Sequence, residues 1–218
     1  MKLRNSAYIL MMLVIFSLVL TAQSPIQTAP QPDDLLMRVW SGVQGAQAKF
    51  TTACGSVVET RTSKMMVKPM VLRGKFCADG MTRFWLEYAA PNELRIRFNG
   101  DYLNVTAGDG QTEVLEIGSG VRRAQSAFSR ESSIVGLKKN FIITATETAR
   151  EYELKFVPNS EVFRRRMNYL IVKLNKSNFL PRSLEVDGKS GVNSVFAIEM
   201  TSLNAKLPAE SFEVTKPK

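Results

Sequence analysis

Two cysteines, Cys54 and Cys77, are the most reactive side chains of this 218-residue sequence, which contains no histidine. Without His there is no Ser-His-Asp or Cys-His pair, no imidazole base and no His-bound metal. Two Cys alone supply too few soft ligands for a zinc site. Catalysis would have to come from carboxylates, Lys or Tyr. Glu87, Tyr88 and Asp101 are the nearest to such a set, but no motif spacing links them. A non-enzyme is therefore expected, with no catalytic residue, no metal and no cofactor.

The compartment decides what the cysteines do. Lys2 and Arg4 precede an almost unbroken apolar run, Ala7 to Leu20, and small residues follow at Thr21, Ala22 and Ser24. A short basic start, an apolar stretch and a small-residue cut site read as a secretory signal peptide, 1–22. Cleavage after Ser24 and an uncleaved anchor are the alternatives. The run is shorter than the ~20 residues a spanning helix needs. Export to the periplasm places Cys54 and Cys77 where a disulfide persists; two buried thiols are the other reading.

The chain carries a formal charge of +9, and removal of Lys2 and Arg4 with the leader leaves +7. A basic exported protein suits anionic lipid or an acidic protein face, and nucleic acid is not expected there. The doublets Arg122-Arg123 and Lys138-Lys139 and the triplet Arg164-Arg165-Arg166 are either contacts for such partners or a solvated face.

The elements that must position these residues begin after a Pro- and Gln-rich leader, 23–32, leaving 33–218 as one domain. Leu35, Leu36, Val39, Trp40 and Val43 make one apolar stripe at helical spacing, behind Asp33 as N-cap and ended by Gly42 and Gly45. Short β-type runs follow near 47–54, 67–77, 81–89, 93–99, 102–106, 112–116, 141–146, 150–157, 167–174, 182–187 and 194–201. Residues 118–140 interrupt them and read as one or two short helices.

The fold class is mainly β with short α. A strongly curved antiparallel sheet should form an incomplete barrel, with helices over its concave face. Two short helices cannot fill so large a concavity, which leaves a tight core or a cavity. Seven Met outside the leader suit a wall that repacks around varied guests. Wall candidates are Phe50, Phe76, Trp85, Leu94, Ile96, Phe98 and Leu103. Lid candidates are Trp40, Val43, Phe128, Ile134 and Leu137. Each could equally be plain core.

The segment FWLEYAAPNELRIRFNGDYLN, 84–104, resembles the LolA-like family of lipoprotein carriers: an aromatic strand, a turn at Pro91, a second strand, then Asn99-Gly100 and a strand with Leu103. The final stretch, with Leu207, Pro208 and Phe212, is similar to the family's closing strands. The resemblance spans about 35 to 215. It implies a LolA/LolB-like half-barrel and a periplasmic carrier, expected to be monomeric, that shields acyl chains of lipoproteins or lipids. The implied partners are an inner-membrane ABC-type releasing transporter and an outer-membrane acceptor. A sensor of lipid or lipoprotein, or a glycolipid-binding module of the same fold, is the alternative. The family also implies an Arg on the aromatic strand that ties down the lid. Trp85 stands at that position here, so Arg83, two residues earlier, becomes the candidate tether.

Overall fold

A computed structural model describes residues 33–80, 83–117 and 134–214. The signal segment 1–22, the leader, Arg122-Arg123 and Phe128 lie outside the described residues.

The chain opens with helix α1, Asp33–Gln47. Leu36, Val39, Trp40 and Val43 fall on one face, and all four are buried, as their spacing requires. The helix does not end at Gly42 or Gly45: both lie inside it. Glycine weakens a helix interior, so a packing reason is needed, and Gly42 has one, given below.

Eleven strands follow: β1 Thr52–Ser63, β2 Met70–Asp79, β3 Arg83–Tyr88, β4 Leu94–Phe98, β5 Tyr102–Ala107, β6 Thr112–Glu116, β7 Phe141–Glu147, β8 Glu151–Pro158, β9 Met167–Asn175, β10 Pro181–Gly188 and β11 Val192–Leu203. Helix α2, Ile134–Lys138, precedes β7, and the one-turn α3, Glu161–Arg164, joins β8 to β9. A 3-10 turn, Ala209–Phe212, follows β11.

All the strands form one antiparallel sheet in the order β6-β5-β4-β3-β2-β1-β11-β10-β9-β8-β7. Among the described residues, the only partners not adjacent in the chain are β1 and β11, at the centre. Among the described residues, the two edges, β6 and β7, are consecutive strands and do not pair with each other, so the sheet is open. Yet residues from opposite halves, Val105 on β5 and Ile143 on β7, share one apolar cluster with α1. A sheet this wide reaches one core from both halves only by curling around it. The expected incomplete barrel, covered by helix, is what forms.

Register fixes which side chains face the helix. Phe76 pairs with Leu86 and Leu86 with Ile96, and all three are buried. Their neighbours along each strand point outward. The first strand lies later than the sequence reading placed it, running through Val57 to Ser63. Gly55 accounts for the misreading: the ladder with β11 shifts between Cys54 and Gly55, and a side chain there would collide with the Glu199 backbone. A glycine that reads as a strand end instead permits close approach within a bulged strand.

Cys54 and Cys77 are directly opposed on β1 and β2 and form a disulfide. Of the two readings left open, the bonded one holds.

Candidate functional site

The concave side is mostly solid. Phe84, Leu86, Phe98, Leu103, Leu154 and Phe156 are essentially inaccessible, and Phe84 and Phe98 meet at 5.8 Å between ring centroids. This removes Ile96, Phe98 and Leu103 from the expected cavity wall: they are core, filled in by one another. Leu94 is half-buried against the same core.

Among the described residues, apolar space remains below the C-terminal end of α1. There a narrow pocket, with an interior volume of about 40 Å³ that reaches about 700 Å³ once the solvent at its mouth is included, lies against the starts of β1 and β10 and the ends of β2, β9 and β11. Phe50, Phe76, Val43, Phe179, Ile198 and Met200 are among its walls. Phe50 and Phe76 from the expected wall set and Val43 from the lid set are among the residues that line it. The polar side chains on its lining are Gln47 and Thr51.

Trp85 is not part of it. Phe84, Leu86 and Tyr88 face inward, so Trp85 faces outward, opposite Cys77 on one side and Arg97 on the other. With aromatics at both parities in the run Phe84-Trp85, the strand alone could not reveal which belonged inside.

Trp40, Val43, Ile134 and Leu137 all lie in the concave core cluster, so α1 and α2 cover the sheet as expected. Arg83 does not hold them. Its guanidinium pairs with Asp79 and lies 5.2 Å from the ring centroid of Phe212, clamping the 3-10 turn instead. An ion pair that does reach α1 is Arg38 to Glu147 on β7, at 2.6 Å. Glu147 also pairs with Lys176, and these cations, the Lys176 hydrogen bond first, hold its carboxyl below the usual glutamate range.

Phe179 is the wall residue that the sequence concealed. It sits in the turn between β9 and β10 with φ of 56°, a left-handed conformation that costs a bulky residue about 1–3 kcal/mol. Its ring stacks on Tyr152 at 5.5 Å and rests on Gly42, where any Cβ would overlap it. Gly42 is thus the seat of an aromatic plug between α1 and the pocket.

A second unforeseen feature lies within the core. Glu59 is fully buried. It accepts hydrogen bonds from Arg61 Nε at 2.5 Å, Arg61 Nη2 at 2.9 Å and the Tyr88 hydroxyl at 2.5 Å. Burial, reinforced by the Glu59 charge, pushes the Tyr88 phenol well above its ordinary value. Glu87, which the sequence set beside Tyr88, points the opposite way and pairs with Arg95 at 2.7 Å. The Glu59 cluster is internally satisfied and stands apart from the pocket, an arrangement suited to fixing strand register rather than to proton transfer.

No family model matches the chain, and no curated protein does. Among solved structures, it is similar to a LolA superfamily protein from Nitrosomonas europaea at 14% identity, over 85% of this chain and 99% of that one, with a TM-score of 0.41. It is also similar to an uncharacterized conserved protein from Thermus thermophilus at 9% identity, over 84% and 94%, with a TM-score of 0.48. A third is lipoprotein LppX of Mycobacterium tuberculosis, at 10% identity over 82% and 99%, with a TM-score of 0.44. These are distant likenesses of fold, and such a likeness does not specify cargo.

Proposed function

We propose that this chain is an exported, non-catalytic binding protein that shelters hydrocarbon, the acyl chain of a lipid or lipoprotein, and carries it between membranes through the periplasm. The observation that carries the reading is the apolar pocket under α1, walled by Phe50, Phe76, Phe179, Ile198 and Met200. Its lining offers hydrocarbon much to touch and little to hydrogen-bond. The basic, apolar leader of the sequence supports export.

The pocket's narrowness sets the mechanism. Burying an acyl chain is worth about 0.8 kcal/mol per CH₂. Several fully sheltered chains would exceed the practical affinity ceiling of about 20 kcal/mol and would not be released. A slot that widens for one chain, against the resistance of Phe179 and α1, binds moderately and lets go. Loading from an inner-membrane ABC-type transporter and delivery to an outer-membrane acceptor complete the proposal.

Native mass spectrometry of the chain purified from the periplasm tests it. An acylated species at one per chain is expected. A ligand-free chain that also fails to take up a fluorescent fatty acid overturns the reading.

A further inference from the structure

The hairpin joining β1 to β2 is built unlike a soluble turn. Its tip reads Lys64-Met65-Met66-Val67-Lys68-Pro69, where Gly, Asn or Asp would be ordinary. Met65 is 95% exposed and Val67 fully so. On its β3 side the tip also projects: Tyr88, the last residue of β3, pairs with Gly74, whereas β2 already begins at Met70; on the other side Ser63 pairs with Val192, level with the β10–β11 turn. Four extra residues of strand carry it about 13 Å beyond β3.

Cations surround it. The β10–β11 turn and the β8–β9 connection lie at the same end of the sheet, tied together by the Lys189 N–H donating to the Arg166 carbonyl at 2.9 Å. Lys64, Lys68, Lys139, Arg164, Arg166 and Lys189 therefore gather at one end, against Glu93, Asp109 and Glu161 as the acids of its turns. Glu161 is engaged by Arg165. The opposite end mixes the two signs, with Asp79, Asp101, Glu147 and Glu151 in or beside its turns next to Arg83, Arg150, Lys176 and Arg182.

We propose that the β1–β2 tip is an interfacial anchor that seats this basic end on an anionic phospholipid surface. Met65 and Val67 enter the headgroup–acyl boundary while Lys64 and Lys68 remain among the phosphates, the arrangement that interfacial segments use. The juxtaposed cations add long-range attraction to the same surface. A protein partner fits less well. Two side chains on a narrow tip offer far less than the roughly 800 Å² per side of a standard interface. The anchor lies at the far end of the strands from the pocket, whose rim includes Gly80, Leu180 and Pro181, and it does not depend on what the pocket holds.

Vesicle flotation of the exported chain tests the proposal. The vesicles are phosphatidylcholine alone or phosphatidylcholine with an equal part of phosphatidylglycerol. The chain should float with the anionic vesicles at low salt, and weakly or not at all with neutral ones. M65S/V67S should lower the partition at least about tenfold. K64Q/K68Q should lower it and flatten its salt dependence. Met37→Ser, an exposed Met on α1, should leave it unchanged. Failure of the parent to float with anionic vesicles overturns the proposal. So does equal flotation of parent and M65S/V67S, an outcome that would assign the cations to an acidic protein instead. The substituted side chains are in water, so the variants should fold, and circular dichroism checks that they do.

Discussion

The ring of Phe179 lies on the bare backbone of Gly42, and each residue explains an irregularity in the other. Gly42 interrupts a helix that would be stronger with alanine. Phe179 holds a backbone conformation that aromatic residues avoid. Together they close α1 onto the β9–β10 turn beside the pocket. Gly42→Ala should destabilise the chain by about 1–3 kcal/mol through overpacking, despite the better helix propensity. The double variant with Phe179→Ala should recover part of that loss. Denaturant titration of both singles and the double reads the coupling, and strictly additive losses would break the pairing.

The Glu59 cluster is a polar commitment inside an apolar core. Arg61→Leu leaves a carboxylate buried without its cation and should cost about 3–5 kcal/mol. Tyr88→Phe removes one hydrogen bond to a charged acceptor and should cost less, about 1.5–3 kcal/mol. Chemical denaturation of the two variants checks the order as well as the size. Equal, small losses would mean that the cluster is hydrated in solution.

The disulfide links neighbouring strands near the middle of the sheet, with the two cysteines 23 residues apart. Replacing both by alanine should lower stability by about 3 kcal/mol in the chain-entropy account. The melt of the parent should fall in reductant to the value of the double variant, which reductant leaves unchanged. A reductant-insensitive melt would contradict a bonded pair.

Acid should loosen α1 before it unfolds the sheet. The Glu147 carboxyl is held below its ordinary value of 4.5 by Lys176 and Arg38. Its folded value is depressed, so its contribution is fully present above the unfolded value. That contribution fades as pH falls through the folded one. Hydrogen exchange along α1 should therefore rise below about pH 4.5, and Glu147→Gln should show the faster exchange already at neutral pH. Exchange in the variant that matches the parent at pH 7 would mean that the ion pair does not hold the helix.

The architecture was readable because its signals are local and repeated: alternating parity in Leu94, Ile96 and Phe98, turns at Asn99-Gly100 and Gly108-Asp109-Gly110, and one helical stripe. Phe50 and Phe76, expected on the wall, and Val43, expected in the lid, come together at one pocket lining. What escaped depends on distant register. Trp85 could be assigned a face only through its pairing with Cys77. Phe179 lies in the polar turn Ser177-Asn178-Phe179-Leu180, where spacing says nothing about burial. An aromatic stranded among turn residues was the one available signal. Glu59 and Arg61 lie beyond the expected first strand, 47–54, and the burial of Glu59 follows from the longer β1 held between β2 and β11.

The central claim is that hydrocarbon occupies the pocket beneath α1 and not another apolar surface. Binding of a fluorescent fatty acid by two variants decides it most directly. Met200→Glu places a charge on the half-buried pocket wall and should weaken binding at least about tenfold, whereas Trp85→Glu, on the outer face, should bind as the parent does. Loss of binding in Trp85→Glu with retention in Met200→Glu, both variants folded, would contradict the account.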